Sequence, residues 1–403
     1  MKKVILFVLF AITCVALLAQ DKMMTISNNA KFYLVTCEPG DAVYARFGHS
    51  GIRVYNPENK IDNIFHWGLF SFDTPNFIGR FTSGNTDYEM GVFGTKYFMQ
   101  EYIMRGSSVY AQELDLTTEQ KHALWNKLWS NYRPENRKYR YNFIYDNCAT
   151  RPYLLIISSY NNKTTLAIQE NQITYRDIIN RYVPIGSPLN TGINLIIGSQ
   201  ADKYITTKES ISFPMYTMNA LNYTHYITHD GSTKPIVLTQ EVMHRAPYKN
   251  FEVSNWLFYG LVIIPLLLAI ICIIYTFKKK HYLPYLSQLM LFATGFIGIV
   301  ISYLWFCSHH PLVDNNLNIL WCNPFNVIFA ILLFIHKKPI IHTIKVVLST
   351  LSLILCITFL VTLIADIQTT TPQIFAIWVL ILVINTTIVY TYRYKIKALL
   401  HKK

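Results

Sequence analysis

Apolar positions change their spacing along the chain, and each change predicts a different kind of structure. Met1-Lys2-Lys3 precedes an unbroken apolar run over residues 4–18, the pattern of an export signal or N-terminal anchor over 1–20, with Ala19 before Gln20 as a cleavage point. Over 32–72 apolar and polar residues alternate, and Pro39-Gly40, Asn56-Pro57 and Gly68 interrupt the alternation, which predicts aromatic-rich strands. Residues 117–129 switch to helical spacing, with Leu124, Trp125, Leu128 and Trp129 as core positions and Thr117 or Thr118 as the cap. The run 139–145 again reads as a strand, ending at Asp146-Asn147-Cys148. The apolar stretch behind it predicts a helix that tolerates Pro152 in its first turn and closes at Asn161-Asn162. Residues 186–214 are polar and turn-rich, and the run Gly198 to Asp202 reads as a turn.

Beyond Trp256 the pattern becomes apolar on all faces. Five stretches, 256–277, 285–306, 319–335, 346–365 and 373–391, are about 17 to 22 residues long, enough to cross a bilayer core. The expected plan is therefore an exported unit over 21–250 and a five-helix membrane domain over 251–403.

Charge sharpens this plan. The formal net charge is +13, yet the apolar half holds eleven Lys and Arg against Asp314 and Asp366, Lys2 and Lys3 sit at the N-terminus, and about +2 remains for the exported unit. A near-neutral domain lacks the electrostatic footprint for nucleic acid. The basic residues are topological: Lys278 to Lys280, Lys337 with Lys338 and Lys345, and the tail from Arg393 alternate with loops 308–318 and 366–372 that carry no Lys or Arg. The positive-inside rule then puts the basic loops and the C-terminus in the cytoplasm and the 21–250 unit outside an inner, cytoplasmic membrane.

Candidate chemistry centres on Cys148. A thiol at a helix start is the expected setting for a nucleophile, because unpaired N–H groups and the helix dipole favour thiolate. His49, flanked by Gly48, Ser50 and Gly51, reads as a base at the start of a strand. His66 on the next strand is the expected orienting group, with Asp62 and Asn63 as alternatives. Asn147 and Arg151 are candidate oxyanion donors beside the Cys148 N–H. At the membrane edge His310, Asn318, Trp321 and Asn323 are candidate substrate contacts, since polar residues entering a bilayer edge point to function. Cys37 and Cys148 are the exported unit's two cysteines, so no disulfide scaffold is expected, although a bond between them, or between Cys307 and Cys322, stays open. No P-loop, dinucleotide fingerprint or zinc spacing is present, so no cofactor and no metal are expected.

The order of histidine strand, polar strand and cysteine before a helix resembles the circularly permuted papain-like group, which includes lecithin:retinol acyltransferase-like enzymes and relatives of the NlpC peptidases. More narrowly, FGHSGIRV, FHWGLFSFDTPNF, GRFTSGNTDYEM, YDNCATR and GSQADKYIT resemble the Bacteroidota lipoprotein N-acyltransferase (Lnb) family over nearly the whole chain. The resemblance implies an α+β, permuted papain-like (NlpC-like) periplasmic domain followed by an all-α five-helix transmembrane domain. It also implies acyl transfer from a phospholipid donor to the α-amine of a diacylated lipoprotein acceptor at the membrane. The residues alone leave two alternatives open: a membrane-anchored cysteine peptidase or amidase acting on cell wall, and a papain-like domain that only binds or senses.

Overall fold

The computed structural model describes residues 26–161, 163–166, 170–228, 230–247, 253–335 and 339–400. The signal or anchor expected over 1–20, the 21–250 boundary and the Lys337-Lys338 pair lie outside the described residues.

The alternation over 32–72 becomes strands β1 (Lys31–Cys37), β2 (His49–Asn56) and β3 (Ile61–Leu69), paired antiparallel in sequence order. Helix α1 (Phe77–Thr82), β4 (Asp87–Gly94), α2 (Thr95–Met104), β5 (Val109–Leu114), α3 (Thr118–Tyr132), β6 (Lys138–Arg140) and α4 (Thr150–Ser159) follow. After α5 (Tyr175–Tyr182), α6 (Pro188–Ile196) and α7 (Pro214–Asn222), strand β7 (Val237–His244) returns to the sheet, whose order is β7-β5-β1-β2-β3-β4-β6.

Strand β1 is apolar at nearly every position because both faces of the sheet are covered. Phe32, Leu34, Phe65 and Trp67 pack against Leu124, Trp125 and Leu128 of α3 and Ile156 of α4. Tyr33, Val35, Cys37 and Ile64 meet Phe98 and Tyr102 of α2 on the opposite face. Trp125 and Trp129 are core residues, edge-on to Phe65. Helix α3 starts where its cap requires: Thr117 accepts from the Gln120 N–H and the Gln120 side chain accepts from the Thr117 N–H. Such a reciprocal cap contributes about 1 kcal/mol.

Two local expectations change. The strand over 139–145 shrinks to the three residues of β6, because the Asn142 side chain accepts from the Ile144 and Tyr145 N–H groups and Asn142 and Asp146 bridge backbone to backbone across the turn. The stretch 186–214 contains α6, capped by Ser187 and opened by Pro188 at its first position. The 198–202 run is a turn, as its composition suggested.

The C-terminal half is a helical bundle with four helices long and apolar enough to span a membrane among the described residues: α8 (Asn255–Lys279), α9 (Pro284–Cys307), α11 (Pro339–Ile364) and α12 (Pro372–Leu400), α10 being a short one between them. The continuous helix expected over 319–335 is not there. That stretch is a 3-10 turn at Leu317–Leu320, a turn at Asn323-Pro324 and the seven-residue α10 (Asn326–Leu332). Pro324 lacks an N–H and disfavours helix at Asn323. Irregular backbone at this depth needs protein around it, and α9 supplies a glycine face. A Cβ on Gly298 would stand 2.0 Å from the Cys322 carbonyl oxygen, and one on Gly295 2.4 Å from the Val327 nitrogen. Asn326 donates to the Trp321 carbonyl at 3.0 Å, satisfying one group the break releases.

The segment between α9 and this break clasps the N-terminal domain. His309 donates its N–H to the Ser83 carbonyl at 3.0 Å, and Ser308 Oγ donates to Thr82 at 2.8 Å. On the far side of the loop the Gly198 N–H reaches the Leu312 carbonyl at 2.7 Å, and Thr369 Oγ1 reaches Asp202 Oδ1 at 2.5 Å. Arg176 forms a buried ion pair with Asp202 at 2.8 Å and also donates to Asn194 and the Gly198 carbonyl, fixing the turn that holds the loop.

Candidate active site

His49 is delivered by a turn that only glycine makes easily. Gly48 has φ +80, and a Cβ there would lie 2.5 Å from the Cys37 carbonyl oxygen. The chain then enters β2 with His49 opposite Cys37. His66 lies on β3 across from Gly51, on the α2 side of the sheet. A bulge between Trp67 and Leu69 displaces Gly68, whose bare Cα leaves room for the His49 ring: a Cβ would be 2.8 Å from His49 Cε1.

The two imidazoles meet, with His49 Nε2 and His66 Nδ1 3.0 Å apart. Tyr102 stacks on His49 at 6.1 Å between centroids, and Phe98 covers both histidines. His66 Nε2 is buried without a hydrogen-bond partner among the described residues, close to Gly91. Burial, with smaller contributions from His66 and Arg105, holds His49 well below the usual histidine value, and burial brings His66 down to about 4. Both rings are neutral at pH 7.

Cys148 lies in the turn before α4, next to the strand that carries His49. The backbone N–H groups of Ser50, the residue after His49, and of Cys148 itself lie near enough to the sulfur to favour its thiolate. Burial outweighs these donors and pushes the thiol up to about 11. The thiolate expected from a helix start is therefore corrected: α4 begins at Thr150, and desolvation of the sulfur is larger than the stabilisation its donors provide. The pair rests as thiol and neutral imidazole. Cys37 and Cys148 are both free, as are Cys307 and Cys322.

Asn147 and Arg151 have other work. Asn147 is buried, its amide donates to the Phe143 and Ser212 carbonyls at 2.7 and 2.9 Å, and its oxygen accepts from the Ala149 and Thr150 N–H groups. Both amide hydrogens are used, so it shapes the Cys148 turn and offers no donor to an oxyanion. Arg151 grips Asp146 through two nitrogens, at 2.5 and 2.7 Å, and lies 3.7 Å over the Tyr139 ring. Asp62 pairs with Arg53 at 2.7 Å and accepts from Thr95 at 2.6 Å, and is spent there. The Ser50 N–H was missed at the sequence level; its only signal was adjacency to His49.

Two stretches decide the family. Residues 20–181 match the family model of the Lnb N-terminal periplasmic domain, and residues 254–397 match that of the Lnb transmembrane domain. The chain belongs to the Lnb family. It is a multi-pass membrane protein with a periplasmic N-terminal domain of mixed α/β structure, a helical membrane domain and a lipoprotein N-acyltransferase family role. No curated protein and no solved structure matches it.

In this Lnb family member His49, His66 and Cys148 all fall within the first matched stretch, and the membrane-edge candidates fall within the second. The latter are mainly structural. Asn318 is buried, donates to the Leu195 carbonyl of α6 at 3.2 Å and accepts from Trp321 Nε1 at 3.1 Å. Trp321 is buried beside Phe359 rather than placed at a lipid interface. Asn323 accepts from the Phe325 N–H and shapes the turn before α10. His310 reaches the Phe81 carbonyl at 2.5 Å and sits edge-on to the Phe81 ring, so of the four it alone touches the surface near β3 and α1.

Proposed function

We propose that this chain is a thiol acyltransferase of the inner membrane that moves an acyl chain from a phospholipid, through a Cys148 thioester, to the α-amine of a diacylglyceryl-cysteine lipoprotein. The observation that carries the reading is the 3.0 Å contact between His49 Nε2 and His66 Nδ1, with the Ser50 N–H next to His49 acting on the Cys148 sulfur. In this reading residues 21–250 form a permuted papain-like domain in the periplasm, 251–403 form the membrane domain, and the C-terminus is cytoplasmic, supported by the basic residues gathered away from the periplasmic domain.

His49 donates its Nε2 hydrogen to His66 Nδ1, which leaves the Nδ1 lone pair of His49 to take the thiol proton. His66 is then protonated at Nε2, the buried nitrogen near Gly91. As the proton moves, sulfur attacks the ester carbonyl; the C–S bond forms, the C–O bond breaks, and the departing alkoxide regains the proton from His49 as the lysophospholipid leaves. The lipoprotein amine then attacks the thioester, giving its proton to His49. The C–N bond forms, sulfur leaves, and His49 returns the proton to it. A resting thiol of high pKa suits a step in which proton transfer and attack are coupled, and it spares the site unproductive alkylation.

Mass spectrometry of lipopeptides from a deletion strain carrying full-length variants tests the reading. Cys148→Ser and His49→Ala, each present in the membrane at wild-type level, are expected to leave lipoprotein diacylated. Triacylated lipopeptide in either strain removes that residue from the chemistry, and release of free fatty acid without N-acylation by the wild type would make the chain a hydrolase.

A further inference from the structure

A run of aromatic rings leads from Cys148 to the membrane loop. Tyr141 leads into the turn that carries Cys148, where Asn142 and Asp146 bridge backbone to backbone, and a Cys148 thiolate would raise both the Tyr88 and Tyr141 phenols. Tyr141 stacks on Tyr88 at 4.1 Å, Tyr88 on Phe70 at 4.9 Å, and Phe77 continues the line 6.3 Å from Phe70. Phe81 follows at 5.9 Å from Phe77, and His310 closes the line 5.4 Å from Phe81. Beside it a groove of about 370 Å³ is lined by Leu69, Phe70 and Tyr88 together with the charged Arg80, Asp87 and Lys138. That volume falls in the range of about 300–1,000 Å³ typical of small-molecule sites.

This strip is exposed, which a soluble surface would not favour. Phe72 is 63 % exposed, Ile78 78 % and Phe81 44 %, and they adjoin one another across α1 and the turn before it. Contiguous apolar surface of this kind marks an interaction site. Its neighbour identifies the partner. The end of α1 is bonded through Thr82 and Ser83 to Ser308 and His309, the first residues beyond α9, and Phe306 on the last turn of α9 is itself 71 % exposed. The strip is thus continuous with the outward face of a membrane helix and leads, through Tyr88 and Tyr141, to the turn that carries Cys148.

We propose that the strip Phe70–Phe72–Phe77–Ile78–Phe81 is the acyl-chain site of the donor lipid, taking one alkyl chain out of the outer leaflet at Phe81 and guiding its ester to Cys148 along the Phe70–Tyr88 wall. This rests on the thioester reading above and adds the chain's route. The charged residues of the groove, Arg80, Asp87 and Lys138, would face the headgroup. Apolarity, not ring chemistry, is what the strip contributes, so leucine can replace an aromatic residue and serine cannot.

The test uses the full-length protein reconstituted in vesicles of phosphatidylethanolamine and phosphatidylglycerol, reading hydroxylamine-sensitive acyl groups on Cys148. In Phe72→Ser and Ile78→Ser, acyl-Cys148 from a dioleoyl donor should fall about tenfold or more. From a dihexanoyl donor, whose short chains need little of the strip, it should change less than about twofold, and Phe72→Leu and Ile78→Leu should restore the long-chain rate. Equal loss with both donors, no loss with either, or failure of the leucine variants overturns the proposal. So does normal acyl-Cys148 with transfer failing only once a diacylated lipopeptide is added, since the strip would then serve the acceptor. If Cys148→Ser still transfers acyl groups, the thioester reading itself is at fault, an outcome distinct from all of these.

Discussion

Gly68→Ala is the most direct test of whether the His49 pose is the working one. The new Cβ would stand 2.8 Å from His49 Cε1 and 3.5 Å from Nδ1. Carbon atoms prefer roughly 3.5–4.0 Å, so the ring must retreat by about 1 Å or turn. Behind it Tyr102 stacks and Phe98 closes the space, so the easiest movement is one that breaks the 3.0 Å contact to His66 Nδ1. A hydrogen bond stretched beyond about 3.5 Å no longer selects the tautomer. A displacement of about 1 Å costs on the order of 100-fold in rate, equivalent to about 2.7 kcal/mol of transition-state stabilisation. The assay is the rate of N-acylation of a synthetic diacylated lipopeptide by purified full-length protein in detergent, with the thermal midpoint read in parallel. Gly192→Ala is the control, since nothing lies within 4 Å of a Cβ there. Gly68→Ala is expected to lose rate while its midpoint stays within a few degrees of wild type and Gly192→Ala keeps both. A Gly68→Ala protein acylating within twofold of wild type would refute the reasoning, because His49 would then be working from a different position.

Two further outcomes follow from charge and burial. With the Cys148 thiol pushed up to about 11, iodoacetamide labelling of Cys148, taken as the difference from Cys148→Ser, should be far slower at pH 7.5 than for a free cysteine of pKa about 8.5. The labelling should rise roughly tenfold per pH unit to pH 10, and a plateau below pH 8 would mean a resting thiolate–imidazolium pair instead. Arg176→Met strips the counter-charge from the buried Asp202 and should cost about 3–5 kcal/mol, seen as a lowered thermal midpoint and faster proteolysis between residues 186 and 202; unchanged values would show that the Arg176–Asp202 pair does not hold the loop clasp.

What the sequence showed and what it hid divide along a physical line. Local signals read correctly: the strands around Pro39-Gly40 and Asn56-Pro57, the Thr117 cap, and Trp125 and Trp129 as core each depend on neighbours a few residues away. His49 and His66 were legible as a pair because strands joined by a short turn must lie side by side, and Gly48 and Gly68 mark where backbone and ring crowd. Their ionisation was not legible, since it is set by desolvation from α2, a helix that contacts them only in the fold. Asn147 looked like an oxyanion donor because it adjoins Cys148, and what engages its two amide hydrogens, the Phe143 and Ser212 carbonyls, includes a partner 65 residues away. Asn318 and Trp321 looked interfacial for a related reason: a tryptophan between asparagines at a span edge reads the same whether the partner is lipid or, as here, the Leu195 carbonyl and Phe359.

The broken third stretch was misread as one continuous helix, and its path differs from what helix length alone would suggest. By helix length the bundle has four spans among the described residues, and an even number would return both ends of the membrane domain to the same side. The hydrogen bonds at the two ends of the stretch describe its path through the bundle. The stretch begins at the periplasmic domain, where Asn316 and Asn318 bind the Leu195 carbonyl, and ends at Leu333 and Ile335, whose carbonyls accept from Lys345 Nζ at 3.3 and 2.7 Å. Lys345 also donates to Tyr392 near the end of α12, and Lys280 at the end of α8 reaches Tyr390. The basic ends of α8 and α12 and the start of α11 are therefore gathered at the end of the bundle away from the periplasmic domain, and the chain between α9 and α11 must traverse it without a full-length helix. Where a fifth continuous helix was expected, the structure has a 3-10 turn, a proline turn and a short helix pressed against Gly295 and Gly298, which shield the irregular backbone that a full-length helix would have satisfied by itself.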